Sequence, residues 1–366
     1  MPFMQDEREN QLMTEEQKQT LFRGDQPASG WRYTAEVDKD PELQTTTLSL
    51  CSIDQSNASR NIRASIAPEL GSNLFRFRVG EHELIYTDQL LLKRRDFTGT
   101  CVLWPFPNRV REKRYTYHGR GYSLEDVHRP GGDPALVHGL VFDQPWHYTE
   151  PTVRPDAVSV TTYIDVDAQN PYYTAYPFES RLSLTYSLSG TELSVTYQVH
   201  NKSPRTLPFG FALHPYFSTF TDKHDVLLTI PAQAVMEADD YLLPTGRILD
   251  VQKVMYAMYD LREPVPVAYL KLDHVFTQLD ASMLSILYYP RLAMQLHISA
   301  TDDFTHLVIF TPENVPAVCI ESQTCSTDAI NLYQQGSALR EAAHLLQVQP
   351  GATFSGTLRY SIIFNA

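Results

Sequence analysis

Cysteine is scarce in this chain. Cys51, Cys101, Cys319 and Cys325 are four residues in 366, and no two of them stand at CxxC spacing. A disulfide scaffold needs more bridges and a zinc or dithiol motif needs closer pairs, so both are excluded and buried free thiols are expected. Basic residues are in deficit: 30 Lys and Arg against 43 Asp and Glu give a formal net charge of −13. That balance disfavours phosphate backbones and anionic lipid, so neither nucleic acid nor a membrane is an expected partner. There is no uninterrupted run of about 18 apolar residues to form a spanning helix. The opening stretch, MPFMQDERENQLMTEEQKQTLFRG, has neither the basic start nor the apolar run of a secretory leader, and a cytoplasmic protein is expected. Long segments of 3.6-residue period, fixed-length repeats and a linker-like composition shift are also missing, which argues against helical repeats and βαβ folds.

What is present is a 43% hydrophobic, 20% charged composition with 21 Tyr, 17 Phe and 24 Pro, fitting many short strands joined by proline-bearing loops. From about Ala35 the dominant period is two, the spacing that sends successive side chains to opposite faces of a sheet. Leu182, Leu184, Tyr186 and Leu188, a turn at Ser189-Gly190, then Leu193, Val195, Tyr197 and Val199 read as a hairpin with one buried face. A second hairpin is expected with Leu284, Ile286 and Tyr288 facing Leu292, Met294, Leu296 and Ile298 across Pro290. Further strands are expected at 47–53, 73–79 (Phe75, Phe77 and Val79 sharing a face), 159–164, 227–230, 306–310 and 354–364. The expected fold is all-β: a large closed antiparallel sandwich with few short helices. Residues 1–30 are expected to be a polar arm, helical at most over 14–22, and residues 31–366 a single domain.

Five stretches are more polar than a plain sandwich requires. Pro107-Asn108-Arg109-Val110 ends an apolar, aromatic run. Arg109 there offers a rigid fork of donors for hydroxyls or a carboxylate, although Arg111, Lys113 and Arg114 downstream also fit a solvated strand face. His138 lies among apolar residues beside Gly139, which would permit close approach of a ligand, and Trp146 could offer a ring face to a sugar; a satisfied core histidine is the plainer reading. His214 precedes Pro215, which places it where a strand is expected to stop. Asp273, in Leu272-Asp273-His274-Val275-Phe276, could accept two hydroxyl hydrogen bonds or simply lead a turn into a strand. Glu321 follows the buried-strand run Val318-Cys319-Ile320, where desolvation raises a carboxylate toward the range useful for a base; the alternative is a rim glutamate paired with an arginine.

Taken in order, these stretches resemble the aldose 1-epimerase (galactose mutarotase) family, from about Asn73 to Asn331. The resemblance is carried by Pro107-Asn108-Arg109-Val110 and the tyrosine-rich hairpin after it, His138-Gly139, Leu213-His214-Pro215-Tyr216-Phe217, Leu272–Phe276, and Cys319-Ile320-Glu321-Ser322-Gln323 followed by Asp328–Asn331. It departs from the family pattern at Ser322, where many members carry proline. It implies a galactose mutarotase-like supersandwich with an open cleft and interconversion of sugar anomers without metal or organic cofactor. By motif, Glu321 would be the general base and His214 the general acid, with His138, Asp273, Arg109 and Asn108 holding the sugar. A neighbouring negative charge is expected to raise the pKa of His214 so that it can donate. The expected partner is a small free aldose, of galactose or glucose type, and the expected assembly a monomer or homodimer. The alternatives are a hexose-phosphate mutarotase, which would need arginines such as Arg94, Arg95 and Arg111 at the cleft, and a non-catalytic carbohydrate-binding sandwich. A cupin-like metal enzyme lacks its paired histidines.

Overall fold

The computed structural model describes residues 20–23, 30–128, 134–220 and 222–365. The chain forms antiparallel sheets with a few short helices, of which Ser337–Ala343 is among the longer. Among the described residues the strands divide among three large sheets and three two-stranded ribbons. A six-stranded meander runs in chain order from Thr20–Arg23 and Trp31–Lys39 to Asn73–Val79 and His82–Glu83. The largest sheet places Glu192–Asn201 beside Thr353–Phe364, and next to that Met294–Ala300. The third, seven-stranded sheet has the order Pro244–Asp250, Ala232–Ala238, Asp273–Leu279, His306–Phe310, Ala317–Gln323, Ala212–Ser218, Thr100–Leu103.

Alternation in sequence becomes alternation in burial. Along Ser180–Ser189 and Glu192–Asn201 the register pairs Leu182 with Val199, Leu184 with Tyr197, Tyr186 with Val195 and Leu188 with Leu193, all buried. The second expected hairpin forms, but one of its strands is turned over. Tyr289 pairs with Met294, Leu287 with Leu296 and Ser285 with Ile298, so Ser285, Leu287 and Tyr289 face inward while Leu284 is exposed. The run Leu284–Tyr289 is apolar on both faces, so its period does not choose one; the tight Pro290–Leu292 turn, closed by Ala293 at φ 46°, sets the register. Phe75 also leaves its expected face. A bulge pairs Arg76 with Ser65 and Leu74 with Ile66, sending Leu74 and Phe77 to the main core and Phe75 to a separate cluster with Leu43, Ala67, Leu70 and Leu92.

Most of the helix expected over 14–22 lies outside the described residues. Its last three residues, 20–22, belong instead to a strand paired with Trp31–Lys39. Among the described residues no helix is long and apolar enough to cross a membrane.

Candidate active site

The seven-stranded sheet has two unlike faces. On one, Val102, Leu213, Phe217, Val318, Ile320, Ile309, Leu307 and Phe276 join the core cluster that also holds Leu193, Leu296 and Ile362 of the largest sheet. Their immediate chain neighbours therefore point the other way, and that face carries the polar residues. The pairs Ala212 with Gln323 and Tyr216 with Cys319 bracket His214 and set it opposite Glu321; Glu321 in turn pairs with Val308. In the next row Cys319 pairs with Phe310 and Phe310 with Asp273. Strand register alone thus gathers His214, Glu321 and Asp273.

His214 is not at a strand end. Ala212–Ser218 runs through it, and Pro215 faces Thr100 on one side while pairing with Ala317–Gln323 lapses and resumes at Tyr216. Proline here interrupts one ladder without ending the strand, because only its own N–H is lost.

Arg109 and His138 arrive from the facing ribbon, in which Arg109–Val110 pairs with Leu136–Val137. The backbone is in the left-handed region at both Asn108 (φ 60°) and His138 (φ 63°), and His138 N–H donates to the Asn108 carbonyl at 2.7 Å. Gly139 lies so close to Trp104 that a Cβ would fall 2.4 Å from its carbonyl oxygen. The glycine thus permits packing against Trp104, not the ligand approach expected from its sequence context. The arginine is held as well: Nη1 donates to Asn108 Oδ1 at 2.9 Å, the Arg109 carbonyl accepts from Asp328 N–H at 2.9 Å, and Nη2 lies 3.9 Å from Asp273 Oδ2.

All six predicted site residues, Asn108, Arg109, His138, His214, Asp273 and Glu321, line one open cavity of about 320 Å³. Its remaining walls are Phe97, Val137, Tyr216, Val308 and Phe310. Sequence reasoning missed the aromatic walls, although Tyr216 stands two residues after His214 on a strand and so had to share its face. The His214 ring stacks on Tyr216 (centroids 4.8 Å, 11°) and meets His138 edge to face at 5.0 Å, while His138 packs edge to face on Phe97 at 4.9 Å. Trp146 is not among the walls. It is buried in the main core with its indole N–H donating to the Val141 carbonyl at 3.1 Å, so it offers no ring to a ligand.

On the cavity floor His214 Nε2 lies 3.3 Å from Glu321 Oε1, both side chains almost wholly buried. Burial raises the Glu321 carboxyl well above the ordinary carboxylate range, and the negative charge of Asp273 adds to this, against the opposing effects of a hydrogen bond from Gln323 and the Arg109 charge. Burial lowers His214 to about 4, the reverse of the expected rise. Desolvation outweighs the opposing backbone hydrogen bond of His214, so burial drives both members of the pair toward their neutral forms. Asp273 is raised by burial too, with Arg109 and His274 opposing.

Of the other arginines considered from sequence, Arg111 engages Asp328 and Asp239, Arg95 donates to the Asp143 carbonyl, and Arg94 caps the short helix Gln89–Lys93. None of them lines the cavity. Among the described residues no group of three or more His, Cys, Asp and Glu side chains is placed to hold a metal ion.

The family model for aldose 1-epimerase matches residues 56–361. The chain belongs to the aldose 1-epimerase family. It is 26% identical over 234 residues to the uncharacterized protein YihR of Escherichia coli, covering 63% of this chain and 71% of that one. It is 30% identical over 181 residues to the galactose mutarotase of Rattus norvegicus, and spans about half of each chain, 48%. In fold it is similar to a galactose mutarotase-like protein from Clostridium acetobutylicum, with a TM-score of 0.76 over 92% of this chain and 99% of that one at 18% identity. It is also similar to galactose 1-epimerase from Lactobacillus acidophilus, with a TM-score of 0.69 over 95% and 99% at 15% identity. The family's fold is the galactose mutarotase-like β-sandwich expected from sequence.

Proposed function

We propose that this cleft interconverts the α and β anomers of a free aldose of galactose or glucose type, with Glu321 and His214 moving the protons. The observation that carries the reading is their juxtaposition, 3.3 Å apart on the floor of a cavity otherwise lined by hydroxyl-binding polar groups and aromatic walls. The hydroxyl and ring oxygens of a cyclic hemiacetal are both bonded to C1, so two side-by-side groups can serve both at once. No placement on opposite sides of the sugar is needed.

The ionised Glu321 takes the proton from the anomeric hydroxyl, the C1–O5 bond breaks as the carbonyl forms, and protonated His214 delivers its proton to O5. The aldehyde turns about C1–C2 and closes on its other face by the reverse transfers, restoring both side chains. Once the ring is open both side chains are neutral, the forms that burial favours. Arg109 and Asp273 offer donors and acceptors to hydroxyls on one side, and His138 and Asn108 complete the polar rim. Phe97 and Phe310 suit the apolar face of a sugar ring. Residues 31–366 act as one domain in this reading.

A phosphorylated substrate would want further cations at the cavity, where only Arg109 stands among the described residues. A binding module would leave the buried acid and base without a use. The test is polarimetry of freshly dissolved α-galactose and α-glucose with the wild type and Glu321→Gln. Acceleration that falls about 10²–10⁴-fold in the variant supports the reading. No acceleration of either sugar by folded wild-type protein overturns it.

A further inference from the structure

Glu321 has two carboxylate oxygens, and the chemistry above uses only the one facing His214. The other, Oε2, accepts from Gln323 Nε2 at 3.2 Å. Gln323 is fully buried, two residues along the same strand and therefore on the same face. A carboxylate can only accept, so the amide must turn its NH2 toward Glu321. Its own carbonyl oxygen is then left buried without a hydrogen-bond partner. A residue selected for stability alone would not leave half of a buried amide unmet, since a leucine or methionine would fill the space without that penalty.

Resting on the acid–base reading just given, we propose that Gln323 is a positioning residue. Its side-chain N–H holds the Glu321 carboxylate by Oε2 so that Oε1 is presented to His214 and the sugar. A neutral donor suits this task. A cation at the same place would hold the carboxylate too firmly ionised to take a proton, and an acceptor would push it away. The groups facing Glu321 from the surrounding elements are His214 and Tyr216 on the neighbouring strand, Asp273 two strands away, Arg109 and His138 from the facing ribbon, Cys101, and Cys319 on its own strand. None of the others is hydrogen-bonded to Oε2.

Two variants and two readouts test the assignment. Gln323→Met removes the donor at similar volume, and Gln323→Glu keeps the shape with a carboxyl group that donates only while protonated. In polarimetry, Gln323→Met should lose roughly 10–100-fold in kcat with KM within about twofold. Its alkaline limb should move to higher pH, because the bond that favours the ionised Glu321 is gone. Gln323→Glu should recover activity as pH falls, which Gln323→Met should not. Independently of turnover, NMR titration of the His214 ring in sugar-free protein should show the step reporting Glu321 ionisation moved upward in Gln323→Met. Unchanged kcat, pH limbs and His214 titration in folded variants overturn the proposal. If the wild type epimerises neither sugar while the His214 step still moves, the assigned reaction fails and the Gln323–Glu321 coupling stands. If Gln323→Met does not fold, Gln323→Glu carries the same test.

Discussion

Glu321 Oε1 and His214 Nε2 face each other at 3.3 Å from adjacent strands, each buried to the point where its charged form is disfavoured. A pair built this way holds one proton over a broad pH range, and this fixes how its chemistry responds to pH.

For kcat/KM, which reports the free protein, the profile is expected to be bell-shaped. On the acid side activity is lost as the pair gains a second proton, near the His214 value of about 4. On the alkaline side it is lost as the last proton leaves, above the ordinary carboxylate range. A flat profile between pH 4 and 9 would remove the pair from the mechanism.

Stability should carry the same signature. Glu321 binds its proton more tightly folded than unfolded, so its contribution is full below the unfolded value and declines as pH rises toward the folded one. Glu321→Gln should therefore gain on the wild type as pH rises from 5 to 8, by up to about 1.4 kcal/mol for each pH unit lying between the two values. Urea unfolding at both pH values measures this. A variant equally displaced at each would contradict it.

Arg109→Lys keeps the charge but loses the fork that reaches Asn108 and faces Asp273. The expected effect is a rise in KM for the sugar of roughly tenfold, about 1.4 kcal/mol, with a smaller change in kcat. Initial-rate polarimetry separates the two parameters, and a loss confined to kcat would place Arg109 in the proton transfers instead.

Gly139→Ala puts a methyl group 2.4 Å from the Trp104 carbonyl oxygen at a backbone φ of +72°. A loss of about 2–3 kcal/mol in unfolding free energy is expected, with weakened sugar binding because His138 is the preceding residue. Unchanged stability would mean that the Trp104 contact yields easily.

Much of this was legible in the sequence where one face of a strand is apolar and the other is not, as in Leu182–Leu188. Leu284–Tyr289 shows the limit: with apolar residues on both faces, the period is silent and the adjoining Pro290–Leu292 turn decides which face is buried. The six candidate site residues were legible as a set through their resemblance to the family's motifs, and strand register and the facing ribbon bring them to one cavity. Trp146 and Gly139 misled because their contexts are equally polar and aromatic, whereas the burial of Trp146 in the main core and the pairing of Gly139 with Trp104 are set by tertiary packing. The direction of the His214 shift was hidden for a similar reason. Proximity of a carboxylate can be guessed from motifs, but the depth at which both groups lie depends on every strand around them.

The interleaved strand order also governs when this cleft can exist during synthesis. Ala212–Ser218 is flanked by Thr100–Leu103, made long before it, and by Ala317–Gln323, made long after it. Until residues 317–323 have left the ribosome, His214 has no Glu321 beside it and one edge of its strand is open to other chains. Nascent chains therefore lack the complete acid–base pair for most of their elongation. A chain terminated before residue 317 would carry His214 without its Glu321 partner.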